Sequence, residues 1–215
     1  MKKSSIFIVG AGNVGAALGQ CWLAEGYSVH FGVPDPGSPK YTHLPQGSVR
    51  SIHDRRDADI IVLAVPFLVV QSVLEALGDL SDIIVVDCTN PLAFTNNDLQ
   101  LSLGFETSGA ELIARWARGA YVFKTLNQTG AENLVDADAF SSRPMMFVAG
   151  DDNSKKRIVM DLVKGLGFEA IDSGPPVTAR LLEPLAMLWI ELAMKLGHTR
   201  GFAFAKVRHR EAESG

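Results

Sequence analysis

Six residues near the amino terminus, Gly10-Ala11-Gly12-Asn13-Val14-Gly15, carry the clearest chemical signal in the chain. They follow a short β-rich run, Ile6-Phe7-Ile8-Val9, and open a stretch where Val14, Ala17, Leu18, Cys21 and Trp22 recur at helical spacing. In a strand–turn–helix unit each glycine has a mechanical task. Gly10 permits the tight turn, Gly12 lets the backbone approach a pyrophosphate, and Gly15 lets the helix pack closely on the strand. The helix start offers unpaired N–H groups and a partial positive charge, to which Asn13 adds a side-chain amide. The chemistry implied is dinucleotide binding; the alternative is a glycine turn that serves packing alone.

An acid at the end of the second strand of such a unit holds a ribose 2′-OH, whereas positive charge there holds a 2′-phosphate. Counting along Ser28-Val29-His30-Phe31-Gly32, that position falls near Val33, which is neither. Asp35 comes slightly late, while Ser38 and Lys40 are within reach across the loop. The missing acid favours NADP and leaves NAD possible. Lys40 is then either a phosphate contact or an ordinary solvated lysine.

Ligands in open α/β sheets sit outside the carboxyl ends of the strands. Ala64-Val65-Pro66 follows one apolar run, and its small apolar atoms would let the cofactor ribose lie close, unless Pro66 only ends the strand and starts a helix. Asn90-Pro91 and Asn127 follow two others; their amides suit a ribose or a carboxamide, although asparagine at a strand end is also a turn former.

No catalytic residue is assigned. Lys124 is the one ionisable candidate at a strand end, and it reads more simply as a lysine snorkelling from the sheet edge. Cys88 reads as a small buried residue with no resolving cysteine nearby. Asp151-Asp152 before Ser154-Lys155-Lys156 reads as acidic capping of a helix with a basic, solvated face. His30, His43, His53, His198 and His209 lack ligand spacing, so no metal site is expected.

The elements that must position these residues alternate between strand and helix. Strands are expected at 6–9, 28–32, 59–65, 82–87, 120–123, 145–149 and 169–172, and helices at 13–25, 67–77, 110–117, 154–166 and 180–196. Residues 33–47, with four prolines, read as a loop, and so do the polar residues Thr95-Asn96-Asn97-Asp98. Most strands are continuous apolar runs, which implies a parallel sheet covered on both faces. The fold class expected is α/β: a doubly wound, Rossmann-type, mostly parallel sheet with a short docked C-terminal α/β segment and a long apolar helix. A dinucleotide-binding domain would span 1–150 and a small annex 151–215. Pro184 is placed near the first turn of the last helix, where a missing N–H costs little.

Composition bounds the partners. The chain has 215 residues, 47% hydrophobic and 20% charged, enough for one sizeable core and too little for two full-sized domains. A net charge of −4 argues against nucleic acid. Two cysteines, Cys21 and Cys88, exclude a disulfide framework and fit a reducing, cytoplasmic compartment. Met1-Lys2-Lys3 before apolar residues superficially resembles a signal peptide, but Gly10, Gly12, Asn13 and Gly15 break the apolar region. The run from Ile60 to Val70 contains Pro66 and is too short to span a bilayer, so no membrane partner is expected. The last helix is apolar on nearly every face, which implies that a subunit partner or the wall of a second pocket covers part of it, hence a homodimer; otherwise it is a core helix.

Several segments recur in the order found in a known family. Gly10-Ala11-Gly12-Asn13-Val14-Gly15, Ala64-Val65-Pro66, Asp87-Cys88-Thr89-Asn90-Pro91-Leu92 and Lys124-Thr125-Leu126-Asn127 come first. Ala149-Gly150-Asp151-Asp152, Asp172-Ser173-Gly174-Pro175 and Ala179-Arg180-Leu181-Leu182-Glu183 follow. Together they resemble the coenzyme F420-dependent NADP oxidoreductases and their bacterial dinucleotide-binding relatives, over roughly residues 5–205. The resemblance implies hydride transfer between a nicotinamide and a small-molecule redox acceptor, F420 or a flavin, held between a Rossmann domain and a short annex. It also exposes a departure. Members that bind NADP commonly carry Ser-Arg or a similar pair just after the second strand, where this chain has Val33-Pro34, so an NADP preference requires Lys40, or Arg50 beyond it, to substitute. Rival expectations on the same scaffold are an imine or hydroxyacid reductase, which usually adds a helical domain of about a hundred residues, and a non-catalytic NAD(P) sensor.

Overall fold

The computed structural model describes residues 3–55, 57–96, 98–207 and 209. The amino-terminal unit forms as expected: β1 (Ser5–Val9), α1 (Asn13–Ala24) and β2 (Ser28–Val33). β3 (Val49–Ser51), β4 (Ile60–Leu63), α2 (Val70–Leu77) and β5 (Ile84–Asp87) follow. A small hairpin, β6 (Leu92–Thr95) and β7 (Asp98–Leu101), precedes α3 (Gly109–Trp116), β8 (Tyr121–Lys124) and a single helical turn, α4 (Ala131–Leu134). β9 (Met145–Ala149), α5 (Asn153–Gly165), β10 (Glu169–Gly174) and α6 (Ala179–Met194) complete the strands and α-helices of the described residues.

Among the described residues the main sheet has eight strands in the order β3-β2-β1-β4-β5-β8-β9-β10. All neighbours are parallel except β8 and β9, which meet at one antiparallel bridge, Lys124 with Ala149. The order reverses direction between β1 and β4, the switch point where ligands bind in such sheets. β10 pairs with β9 across residue 150, so the last segment extends the same sheet.

Alternation along β1 explains why both faces are covered. Ile6 and Ile8 enter a core with Leu18, Trp22, Phe31, Val62, Val159 and Phe168, under α1 and α5. Phe7 and Val9 enter the other core with Ile61, Leu63, Val73, Leu74, Val85 and Ile113, under α2 and α3. Side chains alternate across a strand, so a strand apolar at every position is buried on both sides. The buried Trp22 indole donates to the Leu162 carbonyl at 3.3 Å, satisfying an acceptor in the last turn of α5. Gln128 fills the gap left by the single β8–β9 bridge: its amide donates to Met145 O at 3.0 Å and accepts from Phe147 N at 3.2 Å.

Five local expectations need correction. Residues 95–98 are the tip of the β6–β7 hairpin, with Asn96 left-handed at φ 53°; Asn97 lies outside the described residues. β3 adds an edge strand after the proline-rich loop. The helix expected at 67–77 opens with a 3₁₀ turn, Phe67–Val69, before α2. Pro184 lies inside α6, beyond its first turn, so the Arg180 carbonyl loses its usual donor four residues on. Lys156 belongs to no solvated face: it is buried, with Nζ 2.7 Å from Asp172 Oδ1 and 3.1 Å from Gly174 O.

No helix among the described residues is long and apolar enough to cross a membrane. α6 buries Leu182, Glu183, Ala186 and Trp189 but leaves Leu181, Leu188 and Met194 at 68%, 50% and 61% exposure.

Candidate functional site

The glycine turn has the geometry its sequence requires at three positions. Gly10 has φ +100°, and a Cβ there would lie 2.5 Å from Ala64 O. A Cβ on Gly15 would lie 2.2 Å from Gly10 O, so α1 approaches β1 as closely as a helix without a side chain allows. Gly12 differs: an added Cβ meets nothing within 4 Å. It is the N-cap of α1, with no side chain to satisfy the first N–H groups and no acid in the first turn. Asn13 is exposed at the helix start and Val14 packs partly on the core. Backbone donors and the helix dipole therefore face open space, the cradle a pyrophosphate needs.

Beside this turn lies a cleft of about 480 Å³, lined by Gly10, Val33, Pro34, Tyr41, Ile52, Val65, Val69 and the Ser72–Ala76 side of α2. Its volume is that of a small-ligand site, and its wall is almost wholly apolar. Val65 lines it, Ala64 packs on Gly10, and Pro66 is exposed, ending the strand segment and capping the 3₁₀ turn that leads to α2. Among the described residues no acid lines the cleft. Asp35, the carboxylate just beyond β2, accepts from its own loop at Gly37 N, 3.1 Å away. Lys40 lies in the 3₁₀ turn Pro39–Tyr41, exposed, with its ammonium 4.8 Å from the centre of the Tyr41 ring. Arg50 does not reach this side. Its guanidinium is 2.6 Å from His30 Nε2 and lines a groove at the amino ends of the strands with Ser28 and Asp59.

The two asparagines turn toward each other. Asn127 Nδ2 donates to Asn90 Oδ1 at 3.0 Å and to Leu182 O of α6 at 3.2 Å, while Asn90 Nδ2 donates to Asn127 O at 2.9 Å. Pro91 is buried, and its carbonyl accepts from both Ser102 N and Ser102 Oγ at the end of the hairpin. Asn127 is delivered by a strained turn, because the buried Leu126 has φ 59°, a conformation that costs a branched L-residue about 1–2 kcal/mol.

The expectation for Lys124 is overturned. β8 is an interior strand, and Lys124 is buried with its register partner Asp87 on β5. Its Nζ lies 2.9 Å from Asp87 Oδ2 and 3.1 Å from Glu183 Oε1 on α6, and it also donates to Thr89 O. Burial alone would push this amine's pKa down; the Asp87 and Glu183 carboxylates outweigh it and hold the pKa above the ordinary lysine value. The remaining carboxylate capacity is also used. Asp87 Oδ1 accepts from Thr89 N and Oγ1, and Glu183 accepts from Gly109 N and Ala110 N at the start of α3. One cluster thus joins the carboxyl ends of β5 and β8 to α3 and α6. Sequence reasoning missed Asp87 and Glu183; the signal was an acid ending one apolar strand, a lysine ending another, and a single acid in the first half of an apolar helix.

Two further side chains act locally. Burial and the neighbouring Asp87 push the Cys88 thiol pKa far above the ordinary range, so it is no nucleophile. Asp152 caps α5 by accepting from Ser154 N and Lys155 N.

Comparison with known proteins agrees with this geometry. The sequence profile of the NADP oxidoreductase, coenzyme F420-dependent, family matches residues 5–91. A crystal structure of a provisionally assigned F420-dependent NADP-reductase from Arthrobacter sp. FB24 is 31% identical, with TM-score 0.85, covering 96% of this chain and 100% of that one. A hypothetical protein from Sinorhizobium meliloti is 26% identical, with TM-score 0.71, over 82% of this chain and 88% of that one. An imine reductase from Bacillus cereus shares the fold at 18% identity and TM-score 0.64, over 89% of this chain and 62% of that one. The chain belongs to the family of coenzyme F420-dependent NADP oxidoreductases, and its scaffold is that of an NAD(P)-dependent oxidoreductase.

Proposed function

We propose that this protein carries a hydride between NADP(H), seated on the Gly10–Gly15 turn, and a flavin-like acceptor, coenzyme F420 by family. The observation that carries the proposal is the open space at Gly12 beside closed packing at Gly10 and Gly15. Glycine is a mechanical necessity at the two packed positions, whereas at Gly12 only a ligand gains from the missing side chain. Gly12, Asn13 and Val14 would hold the pyrophosphate with the dipole of α1, while Gly10, Ala64, Val65 and Pro66 would flank the riboses. Asn90, Pro91 and Asn127 would form the wall at the nicotinamide end.

The bound nicotinamide supplies or receives the hydride at its C4. The chain's own residues need only align the two rings and keep water out, and alignment at about 3–3.5 Å supplies much of the rate. Hydride transfer itself calls for no obligatory base, and Lys124 at its strand end is locked between carboxylates. Residues 1–150 would form the dinucleotide half and 151–215 the annex that closes on the acceptor. The exposed Leu181, Leu188 and Met194 on α6 support a homodimer, and the two free cysteines support a cytoplasmic setting.

The test mixes purified protein with NADPH or NADH, then with F420, FMN or a ferric acceptor, while nicotinamide absorbance is followed. Turnover with F420 is expected; nucleotide binding without turnover by any acceptor would overturn the enzymatic assignment. Gly12→Val is expected to abolish NADPH binding while the melting temperature holds. Unchanged NADPH affinity in that variant would remove the cofactor from this turn.

A further inference from the structure

A groove of about 910 Å³ runs along the amino ends of the strands, at the edge of the sheet opposite the glycine turn. One end of it is built by β2 and β3. Ser28 and His30 stand two residues apart on β2 and so share a face, and Arg50 of β3 reaches them from alongside, its guanidinium 2.6 Å from His30 Nε2. A guanidinium has no lone pair to offer and keeps its proton, so the ring nitrogen is the acceptor. His30 is therefore neutral in this arrangement and carries its proton on Nδ1. Burial and the Arg50 charge hold its pKa below the ordinary value, against the opposing pull of Asp54 in the turn after β3. Arg50 thus rests on a neutral ring instead of a carboxylate, and among the described residues it makes no ion pair and no second hydrogen bond. Neither the exposed Ser28 hydroxyl nor His30 Nδ1 has a partner among them.

We propose that Ser28, His30 and Arg50 form a binding site for a single phosphate group, free or as the ester end of a small metabolite. The site is separate from the dinucleotide turn and does not depend on that reading. It offers donors without acceptors, which selects a ligand rich in acceptor oxygens. The guanidinium supplies the charge and keeps N–H groups for charge-assisted bonds to those oxygens. The imidazole Nδ1–H and the Ser28 hydroxyl add donors from the neighbouring strand. A guanidinium alone satisfies a flat carboxylate, whereas donors from two strands suit a tetrahedral anion. The rest of the groove limits the size of the ligand. Asp59 accepts from Ser5 N at 2.7 Å, and Ser5 is the register partner of Ser28, so Asp59 stands two strands, about 10 Å, from that serine. Asp57 and Asp82 line the groove as well. Lys3, paired with Glu25, and Lys155, over the Tyr121 ring, offset part of that charge. Three carboxylates oppose a long polyanion, while at physiological salt a single phosphate beside Arg50 is largely screened from Asp59.

The experiment is proton NMR of the full-length protein, following the His30 ring signal, assigned by its loss in His30→Gln, as inorganic phosphate is added at constant pH and ionic strength. A saturable shift with half-saturation at about 1–10 mM is expected. Acetate or chloride at the same concentration should not produce it. Arg50→Gln should raise the half-saturation about ten-fold or more, and the exposed Ser28→Ala about three-fold, with circular dichroism melts showing both variants folded. Glycerol 3-phosphate distinguishes the sources: binding as tight as inorganic phosphate or tighter points to the ester end of a metabolite, and weaker binding to free phosphate. The readout is local, so phosphate held at the Gly10–Gly15 turn does not enter it, and Gly12→Val should leave the titration unchanged. No saturable shift below about 50 mM phosphate would overturn the proposal. So would a shift that acetate reproduces, one that survives Arg50→Gln, or one that vanishes in Gly12→Val.

Discussion

Replacing Lys124 by methionine keeps the aliphatic stem and deletes the charge, and the structure gives the consequence a size. Asp87 and Glu183 are each bound to the same nitrogen, at 2.9 and 3.1 Å, so their oxygens lie within about 6 Å of each other. With the ammonium gone, two buried carboxylates face one another across that gap. At an effective dielectric near 20 their repulsion is about 3 kcal/mol, and removing one member of a buried ionic cluster typically costs about 3–5 kcal/mol. Each carboxylate keeps its other donors, Thr89 for Asp87 and the start of α3 for Glu183, which holds the loss to that range. Urea unfolding of Lys124→Met at pH 7.5 should therefore show a midpoint well below wild type. A second signature separates like-charge repulsion from a mere packing defect. Two facing carboxylates repel wherever both are charged, so removing one of the two charges should restore stability, which it would not do for a packing defect. Adding Glu183→Gln should recover part of the loss at pH 7.5. An unchanged midpoint, or a deficit that Glu183→Gln leaves as it is, would refute the account of this cluster.

Two other predictions follow from the same geometry. Gly15→Ala places a methyl 2.2 Å from Gly10 O, a backbone atom that cannot step aside, and should destabilise the fold by about 1–3 kcal/mol or more, whereas Gly12→Ala meets nothing within 4 Å and should stay within about 0.5 kcal/mol of wild type; paired urea titrations decide, and equal effects would contradict the close helix–strand approach. The Arg180 guanidinium, 2.8 and 2.7 Å from the Glu111 carboxylate, is the main cause holding that carboxyl below its ordinary pKa of 4.5, so its stabilisation is present above that value and lost as pH falls through the lowered one; thermal melts of wild type and Arg180→Ala should converge between about pH 5 and 3, and a constant gap over that range would contradict it.

The parts of the molecule that could be read from sequence are those whose cause is local. β1, the glycine turn and α1 are adjacent in the chain, and an apolar run followed by helical periodicity leaves little choice about how they fold. The hairpin β6–β7 is equally local but carries a weaker signal: two strands of four residues, one with Phe94 at 73% exposure, show neither a sustained alternation nor a glycine at the turn. The buried ionic cluster was hidden for a different reason. Asp87 and Lys124 are 37 residues apart and meet only because β8 enters the sheet beside β5, an order no pattern within either strand specifies. Read alone, a lysine ending a strand is solvated; read in the sheet, it is the cation that secures α6 to the carboxyl edge. This also explains why a search for catalytic side chains finds so little. The ionisable groups at the carboxyl ends of β5 and β8 are committed to one another and to α6, and the proposed ligand surface is made of backbone, glycine and apolar walls. That division suits hydride transfer, in which the reacting rings bring the chemistry and the protein must hold their spacing. A titrating side chain at the reacting atoms would add a pH dependence that the reaction has no use for.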